Sequence, residues 1–347
     1  MPLKVTRKGW DMATTVEADI KHSINLCGEE DWQAVERPSK RDWSIYNRAQ
    51  TEEMQRFAKA LKITMNAVTL PDLWTGIGRP PADLEDVIKG IAVMKYLSKP
   101  YRRGVSWIRG IQREAEIGEV YHFNTYGNYM RAPFLTPILD EVLTVTSLLL
   151  GVREEGLAVD STGFGPPHSR RWRDVKNDNR ESIRCRKMHA MCGVKSNIIT
   201  SATVTPGPSG DSPEFPELLE RTSDNFPIGE VYGDPAYLSR RNCDLVEDSG
   251  GMPFFKPKSN TTRKAKRSKA WRDMILHHER DSESFMKRYH KRSNVESTFS
   301  SIKMRLSPHL RSRTETAKEN ELLVLAILHN INMVAWRGLE WNTDILA

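Results

Sequence analysis

Five short apolar runs between Gly156 and Lys256 constrain the fold most, because each is bounded by Gly, Pro, Ser or Asn and so has the form of a β-strand. The runs cover residues 157–160, 187–194, 198–205, 228–234 and 252–256. Three residues separate the second run from the third, which suits a hairpin, whereas helix-like stretches separate the later runs. The sequence therefore predicts an α/β fold with a mixed five-stranded sheet flanked by helices.

The first 150 residues have a different pattern, in which apolar residues recur at intervals of three and four. This periodicity predicts helices over about 82–96, 104–117 and 135–150, and hence a mostly helical N-terminal domain (residues 1–150). A basic stretch with one tryptophan lies within it: Arg102, Arg103, Trp107, Arg109 and Arg113. The stretch is either a solvated helix face or part of a module that binds DNA ends.

The charge balance favours a polyanionic partner. Lys and Arg number 52 against 45 Asp and Glu, which gives a net charge of +7, and clustered cations gain affinity for phosphates through counterion release. Residues 256–272 are the most basic segment, with eight Lys or Arg among 17 residues. We interpret this segment as a short basic insertion that is either a solvated loop or a contact for phosphates.

Cysteine usage and hydropathy indicate a reducing, cytoplasmic location. The four cysteines have neither C-x2-C pairing nor zinc-finger spacing to a histidine, and residues 1–12 lack the apolar core of a signal peptide. The apolar runs 142–151 and 321–336 are respectively too short and too interrupted by polar residues to cross a bilayer. Both are expected to be buried helices.

Two aspartates each end a predicted strand. Asp160 follows Leu157-Ala158-Val159, and Asp234 follows Val231-Tyr232-Gly233. Strand ends place side chains on a rigid backbone within reach of solvent, which suits catalysis. An aspartate in this position can equally cap the turn that follows it, so both readings stay open for each residue alone.

A third acidic residue lies in a segment with helical periodicity, residues 281–306. Relative to Tyr289, the residues Arg292, Glu296 and Lys303 lie at offsets of 3, 7 and 14. At about 100° per residue they share a stripe roughly 60° wide. An ordinary surface helix with an Arg–Glu ion pair would give the same pattern.

Three carboxylates are what phosphodiester chemistry with two metal ions requires. Mg²⁺ and Mn²⁺ prefer hard oxygen ligands, and two ions about 3.5–4 Å apart can activate the attacking oxygen and stabilise the leaving one. The candidate metal ligands are Asp160, Asp234 and Glu296. Cations beside them would neutralise DNA phosphates.

The motif Tyr289-x2-Arg292-x3-Glu296-x6-Lys303 resembles the Y-R-E-K signature of DDE-type insertion-sequence transposases. The segments AVDSTGFG around Asp160 and VYGDPAYLS around Asp234 are similar to the first two acidic motifs of that family. The resemblance covers about residues 156–338.

This resemblance implies a ribonuclease-H-like catalytic domain within residues 151–347, in which Asp160 and Asp234 lie on neighbouring strands and Glu296 lies on a helix packed against them. It implies two Mg²⁺ or Mn²⁺ ions, cleavage at element ends to give 3′-hydroxyls, and transfer of those ends into target DNA. Tyr289, Arg292 and Lys303 match positions that contact DNA in the family. Double-stranded DNA is the implied partner, and a homodimer is expected because two ends must be held together.

Two alternatives remain, a nuclease of the same fold and a DNA-binding protein without catalysis. The presence of all three acidic residues argues against the second alternative. Two further residues are assigned structural roles: His189 is expected to be packed in the core, and Asp211 to cap the helix that follows it.

Overall fold

The computed structural model describes residues 3–7, 10–16, 42–74, 76, 78–167, 184–264, 266–341 and 346. Their contacts form two compact units, one mostly helical and the other built on a sheet. The first part of the chain contains β1 (Leu3–Arg7), β2 (Trp10–Val16), α1 (Trp43–Thr51), α2 (Glu53–Asn66), α3 (Leu84–Tyr96), α4 (Tyr101–Ile111), α5 (Phe123–Tyr129) and α6 (Leu135–Leu148).

The sheet unit follows, and one long helix closes the chain. The elements are β3 (Gly156–Phe164), β4 (Arg186–Gly193), β5 (Ile199–Pro206), α7 (Phe215–Ser223), β6 (Glu230–Gly233), α8 (Arg240–Asp248), β7 (Met252–Phe255), α9 (Lys269–Arg280), α10 (Ser282–Tyr289), α11 (Ser293–Ser301) and α12 (Glu315–Glu340).

Helix α12 is the central helix of the helical unit. By length and apolarity it is the one described helix that could span a membrane, and 89% of its most apolar window is buried inside the protein. Its polar residues have partners there, since Asn320 donates to the Met130 carbonyl (3.1 Å) and Asn330 donates to Thr146 Oγ1 (3.2 Å). The structure thus groups α12 with the N-terminal helices, whereas the sequence analysis placed everything after residue 150 in one domain.

The sheet has the strand order β5-β4-β3-β6-β7. Strands β3, β4 and β5 pair antiparallel, whereas β6 and β7 run parallel to β3. This mixed five-stranded sheet flanked by helices confirms the predicted ribonuclease-H-like α/β fold, and the five strands lie where the apolar runs predicted them.

The two faces of β3 have different roles. Leu157 and Val159 belong to the apolar cluster that α7, α8, α9 and α10 help to form. Because side chains alternate along a strand, Ala158 and Asp160 lie on the opposite face. Helix α11 packs against β3 and β4, so it covers the face that carries Asp160.

The segment predicted as one helix over residues 281–306 is broken, which corrects the sequence analysis. A 3-10 turn (His290–Arg292) separates α10 from α11, and a π-helical turn (Ile302–Leu306) follows α11. A 3-10 turn has fewer residues per turn than an α-helix, and a π-helical turn has more. The uniform spacing of 100° per residue therefore does not hold across the segment.

A buried carboxylate closes the hairpin between β4 and β5. Glu154, which is 5% exposed, accepts hydrogen bonds from the backbone N–H of Lys195 (2.8 Å) and of Ser196 (2.9 Å). The pKa of Glu154 is raised, because the effect of burial is larger than the opposite effect of these hydrogen bonds. The side chain packs under Gly193, where an added Cβ would lie 2.2 Å from the Glu154 carboxyl carbon.

Candidate active site

Asp160 and Asp234 lie at adjacent positions on neighbouring parallel strands. The register between β3 and β6 pairs Val159 with Gly233, and the two aspartates are the next residues along the chain. Neighbouring strands lie about 4.8 Å apart, so the two residues are adjacent. Asp234 follows the end of β6, as predicted, whereas Asp160 lies in the middle of β3 and not at its end, because pairing with β4 continues to Phe164. The structure therefore brings together two acids that are far apart in sequence.

Local backbone N–H groups hold one oxygen of each carboxylate. Asp160 Oδ1 accepts from the Ser161 N–H (2.8 Å), and Asp234 Oδ1 accepts from the Ala236 N–H (2.7 Å). The bond of Asp234 is the turn-capping contact considered from the sequence, whereas no turn follows Asp160, because β3 continues to Phe164. The two bonds occupy only Oδ1, so the second oxygen of each carboxylate is available for another partner.

Arg292 connects Asp160 with Glu296. Its Nη1 donates to Asp160 Oδ2 (2.8 Å), and its Nη2 donates to Glu296 Oε1. The side chains of Arg292 and Asp160 are 18% and 17% exposed, whereas that of Glu296 is 55% exposed. Glu296 is therefore linked to Asp160 indirectly, through one guanidinium group.

Burial and the neighbouring carboxylates alter the protonation of Asp160. The pKa of Asp160 is raised to about 6, chiefly by burial and also by the negative charges of Asp234 and Glu296. The Ser161 N–H and the Arg292 guanidinium act in the opposite direction. The Asp160 carboxyl binds a cation only after it has lost its proton, and a cation nearby favours that loss.

Tyr289 and Lys303 lie on either side of this group along the chain. Tyr289 is 8% exposed, its hydroxyl interacts with Arg292, and burial raises its pKa. Lys303 Nζ donates to Thr162 Oγ1 (2.6 Å) and to the Gly163 carbonyl (3.0 Å), and burial lowers its pKa to about 8. Lys303 thus contacts β3 two to three residues beyond Asp160, and Tyr289 contacts the arginine that pairs with Asp160.

Carboxylate oxygens are ligands that hard divalent cations prefer, but the three candidate acids do not converge on one point in this structure. Among the described residues, no three His, Cys, Asp or Glu side chains converge closely enough to hold a metal ion. Asp160 and Asp234 lie side by side on neighbouring strands, and Arg292 supplies the positive charge between Asp160 and Glu296. The three acids fit a metal site provided that this guanidinium withdraws.

Asp211 is a residue near the site whose role the sequence analysis assigned wrongly. It makes no side-chain cap to the 3-10 turn that follows it. Instead, its Oδ1 accepts from Ser161 Oγ (2.8 Å) and Lys187 Nζ (3.0 Å). Fifty positions separate Ser161 from Asp211, and no local spacing signals a contact that only the pairing of strands creates.

His189 is a core residue, as the sequence indicated. It is fully buried, and its Nε2 is 2.8 Å from Thr205 Oγ1. Burial lowers the pKa of His189 to about 4, so the ring is neutral near pH 7.

The cations of the basic segments are partly paired with acidic residues and partly outside the described residues. Within residues 256–272, Arg263 pairs with Glu279, and Lys269 pairs with Glu247 (3.0 Å). These two cations are therefore already partly neutralised. A further group of arginines, at positions 170, 171, 173 and 180 between the first two predicted strands, lies outside the described residues.

Comparison with known proteins identifies the family. The family model described as "Transposase DDE domain" matches residues 152–331, just over half of the chain. No curated protein and no solved structure matches the chain. The matched range contains the whole sheet and all three candidate acids. The chain therefore belongs to the DDE transposases, enzymes that act on DNA and generally use divalent metal ions.

Proposed function

We propose that this chain is the transposase of an insertion sequence, which cleaves DNA at the element ends to give 3′-hydroxyls and transfers these ends into target DNA. The observation that carries the proposal is the adjacency of Asp160 and Asp234 on neighbouring strands, with Glu296 linked to Asp160 by Arg292. In this proposal Asp160, Asp234 and Glu296 hold two Mg²⁺ or Mn²⁺ ions, which would activate the attacking oxygen and stabilise the leaving oxygen.

The chain's own groups position the carboxylates and the DNA. The N–H groups of Ser161 and Ala236 each fix one oxygen of an aspartate, which orients the other oxygen. Arg292 moves from the carboxylates to a phosphate next to the reacting bond, because a guanidinium binds both groups with similar geometry. Tyr289 and Lys303 contact the same stretch of end DNA.

A strand-transfer assay separates this function from that of a nuclease with the same fold. The substrate is a labelled duplex from the DNA flanking the gene, with a supercoiled plasmid as target and Mg²⁺ present. We expect label covalently joined to the plasmid, because a 3′-hydroxyl can replace water as the nucleophile at the same site. EDTA should abolish the product, and nicks without joined product would favour the nuclease.

The exposed surface of α4 and of the residues directly after it supports a role of the N-terminal domain in binding DNA ends. Among the described residues, Arg103, Arg109 and Arg113 have no ion-pair partner, although many other cations in the chain do. Trp107 is 49% exposed, and Lys99 Nζ lies 5.1 Å from its ring centroid. Unpaired cations beside an exposed aromatic ring are suited to a phosphate backbone.

The connection between α3 and α4 resembles that of a helix-turn-helix. The N–H of Ser98 donates to the Lys95 carbonyl (3.0 Å), and the N–H of Lys99 donates to the Met94 carbonyl (2.8 Å). These two bonds form a Schellman turn, in which Ser98 takes the left-handed conformation (φ 51°). Pro100 is the N-cap of α4. We propose that α4 corresponds to the second helix of such motifs, which enters the DNA groove.

Replacing Arg103, Arg109 and Arg113 by alanine should weaken binding of the flanking duplex roughly 50-fold and reduce the slope of log K against log salt by about 2–3. Each arginine lost removes one phosphate contact. Fluorescence anisotropy at several salt concentrations measures both quantities.

A triple alanine variant of Arg48, Arg131 and Lys318 is the matched control. It removes the same charge from the same unit, at side chains that bond to Glu52, Asn128 and Glu315. Equal losses in both triple variants would mean that net charge, and not the face of α4, determines binding.

Assembly and location complete the proposal. We propose that two copies act as a homodimer on DNA, because concerted joining requires both ends in one complex. The described residues Cys192 and Cys243 form no disulfide, which is compatible with the proposed cytoplasmic, nucleoid-associated location.

A further inference from the structure

A polar cluster lies next to Asp160, beside the middle of β3, and contains none of the three candidate metal ligands. We call it the Asp211 cluster; its members are Asp211, Lys187, Ser161 and His189. Asp211 Oδ1 accepts from Ser161 Oγ (2.8 Å) and Lys187 Nζ (3.0 Å) and lies 3.5 Å from His189 Nδ1. Three side chains from two strands therefore converge on one carboxylate.

The pairing of β3 with β4 explains this convergence. Ser161 is opposite His189, and Gly163 is opposite Lys187, so the three side chains lie on one face of two neighbouring strands. Lys187 Nζ also donates to the Ser209 carbonyl (2.7 Å). This bond fixes the loop after β5, which carries Asp211, against the sheet.

Stability alone does not account for charged groups at this place. The side chains of Lys187 and Asp211 are 11% and 20% exposed, so both lose most of their hydration. A buried ion pair recovers little more than this desolvation cost, and apolar side chains of similar volume often stabilise a fold as well or better. The cluster does, however, hold a specific atom, the hydroxyl of Ser161.

Ser161 is directly connected to Asp160. Its hydroxyl is held by Asp211, and its N–H donates to Asp160 Oδ1 (2.8 Å). Holding both groups of Ser161 fixes the peptide plane between Asp160 and Ser161, and hence the direction from which Oδ1 is bound. The second oxygen, Oδ2, is then directed toward Arg292.

We propose that Asp211 is a positioning residue for the transposase reaction, which orients the Asp160 carboxylate through the hydroxyl and the N–H of Ser161. The inference rests on the proposed function, because it assigns to Asp160 a role as metal ligand. A misplacement of about 1 Å in a catalytic group can cost on the order of 100-fold in rate, so a positioning contact of this kind has a measurable effect.

A double-mutant cycle tests the proposal. Ser161→Ala removes the hydroxyl and leaves the pair of Asp211 with Lys187 intact, whereas Asp211→Asn removes the charge and keeps the shape. We expect each variant to lower the single-turnover cleavage rate roughly 10-fold, and the double variant to be no slower than either single variant, because the two residues act through one hydrogen bond. The Kd for the duplex should stay within about twofold, and Ser161→Thr should restore the rate to within about threefold.

Mn²⁺ affinity, measured by calorimetry without DNA, gives a second readout that does not depend on turnover. It should weaken by roughly 3-fold to 10-fold in Ser161→Ala and in Asp211→Asn, again without further loss in the double variant. Thermal unfolding is measured for every variant. Asp248→Asn, an exposed aspartate of the same unit, should leave the rate, the affinity and the unfolding temperature unchanged.

The outcomes distinguish the two hypotheses. Additive losses, or rates and Mn²⁺ affinities equal to wild type, would overturn the positioning role while the transposase assignment stands. A wild-type protein that neither cleaves nor joins DNA would instead contradict the proposed function. In that case the Mn²⁺ affinities alone would decide whether Asp211 orients Asp160.

Discussion

Asp160→Asn, Asp234→Asn and Glu296→Gln are each expected to lower DNA cleavage by at least about 1000-fold, because each removes a negative charge that the metal ions require and hardly changes the side-chain shape. Binding of the flanking duplex should be retained within about threefold, since the cations that contact phosphates remain. Asp160→Asn also removes one of the two ion pairs of Arg292 and leaves the pair with Glu296.

Gel-based cleavage with Mg²⁺ and with Mn²⁺, together with anisotropy for binding, measures these effects. Asp224→Asn and Glu283→Gln are matched controls, because both residues are exposed in the sheet unit, and both variants should cleave at the wild-type rate. If one of the three acidic variants keeps wild-type cleavage, that residue is not a metal ligand. If all three do, the site lies elsewhere.

Glu154→Ala is expected to destabilise the sheet unit by about 3 kcal/mol, because two buried N–H groups would lose their acceptor at a cost of about 1–3 kcal/mol each. This corresponds to roughly a 150-fold change in the unfolding equilibrium constant. The cost falls on the hairpin between β4 and β5, because Lys195 and Ser196 have Glu154 as their acceptor there. Glutamine at this position should recover only part of the stability, because an amide offers one acceptor oxygen instead of two.

Urea unfolding followed by circular dichroism measures the loss, and hydrogen exchange at Lys195 and Ser196 locates it. Glu155→Ala is the control from the neighbouring position, since the Glu155 side chain is 73% exposed and only its 3.4 Å contact with Lys195 would be lost. We expect that variant to lie within about 0.5 kcal/mol of wild type. Equal destabilisation by both substitutions would show that the two N–H bonds of Glu154 are not the cause.

Features that depend on local sequence were predictable. The five strands were found because each apolar run is short and bounded by residues that favour turns, and this signal needs no knowledge of tertiary contacts. The adjacency of Asp160 and Asp234 followed from the same reasoning together with the family resemblance, because each ends a strand of the predicted core.

Features that depend on packing were not predictable. The break at His290–Arg292 leaves the apolar periodicity of residues 281–306 almost unchanged, so the sequence pattern suggested one helix. Asp211 has the sequence context of an ordinary helix cap, and only the pairing of β3 with β4 gives it Ser161 and Lys187 as partners. Hydropathy likewise predicts that α12 is buried, but it does not predict that α12 packs with the N-terminal helices.

If Arg292 exchanges carboxylates for a phosphate as proposed, metal loading and DNA binding are expected to be thermodynamically linked. One guanidinium cannot at the same time neutralise two carboxylates and a phosphate, so a ligand that draws it away lowers the free energy for placing another cation between Asp160 and Glu296. By reciprocity, metal ions that displace Arg292 should strengthen DNA binding by the same factor. A protein built in this way would hold few divalent ions until it meets an element end, which would protect other DNA from cleavage.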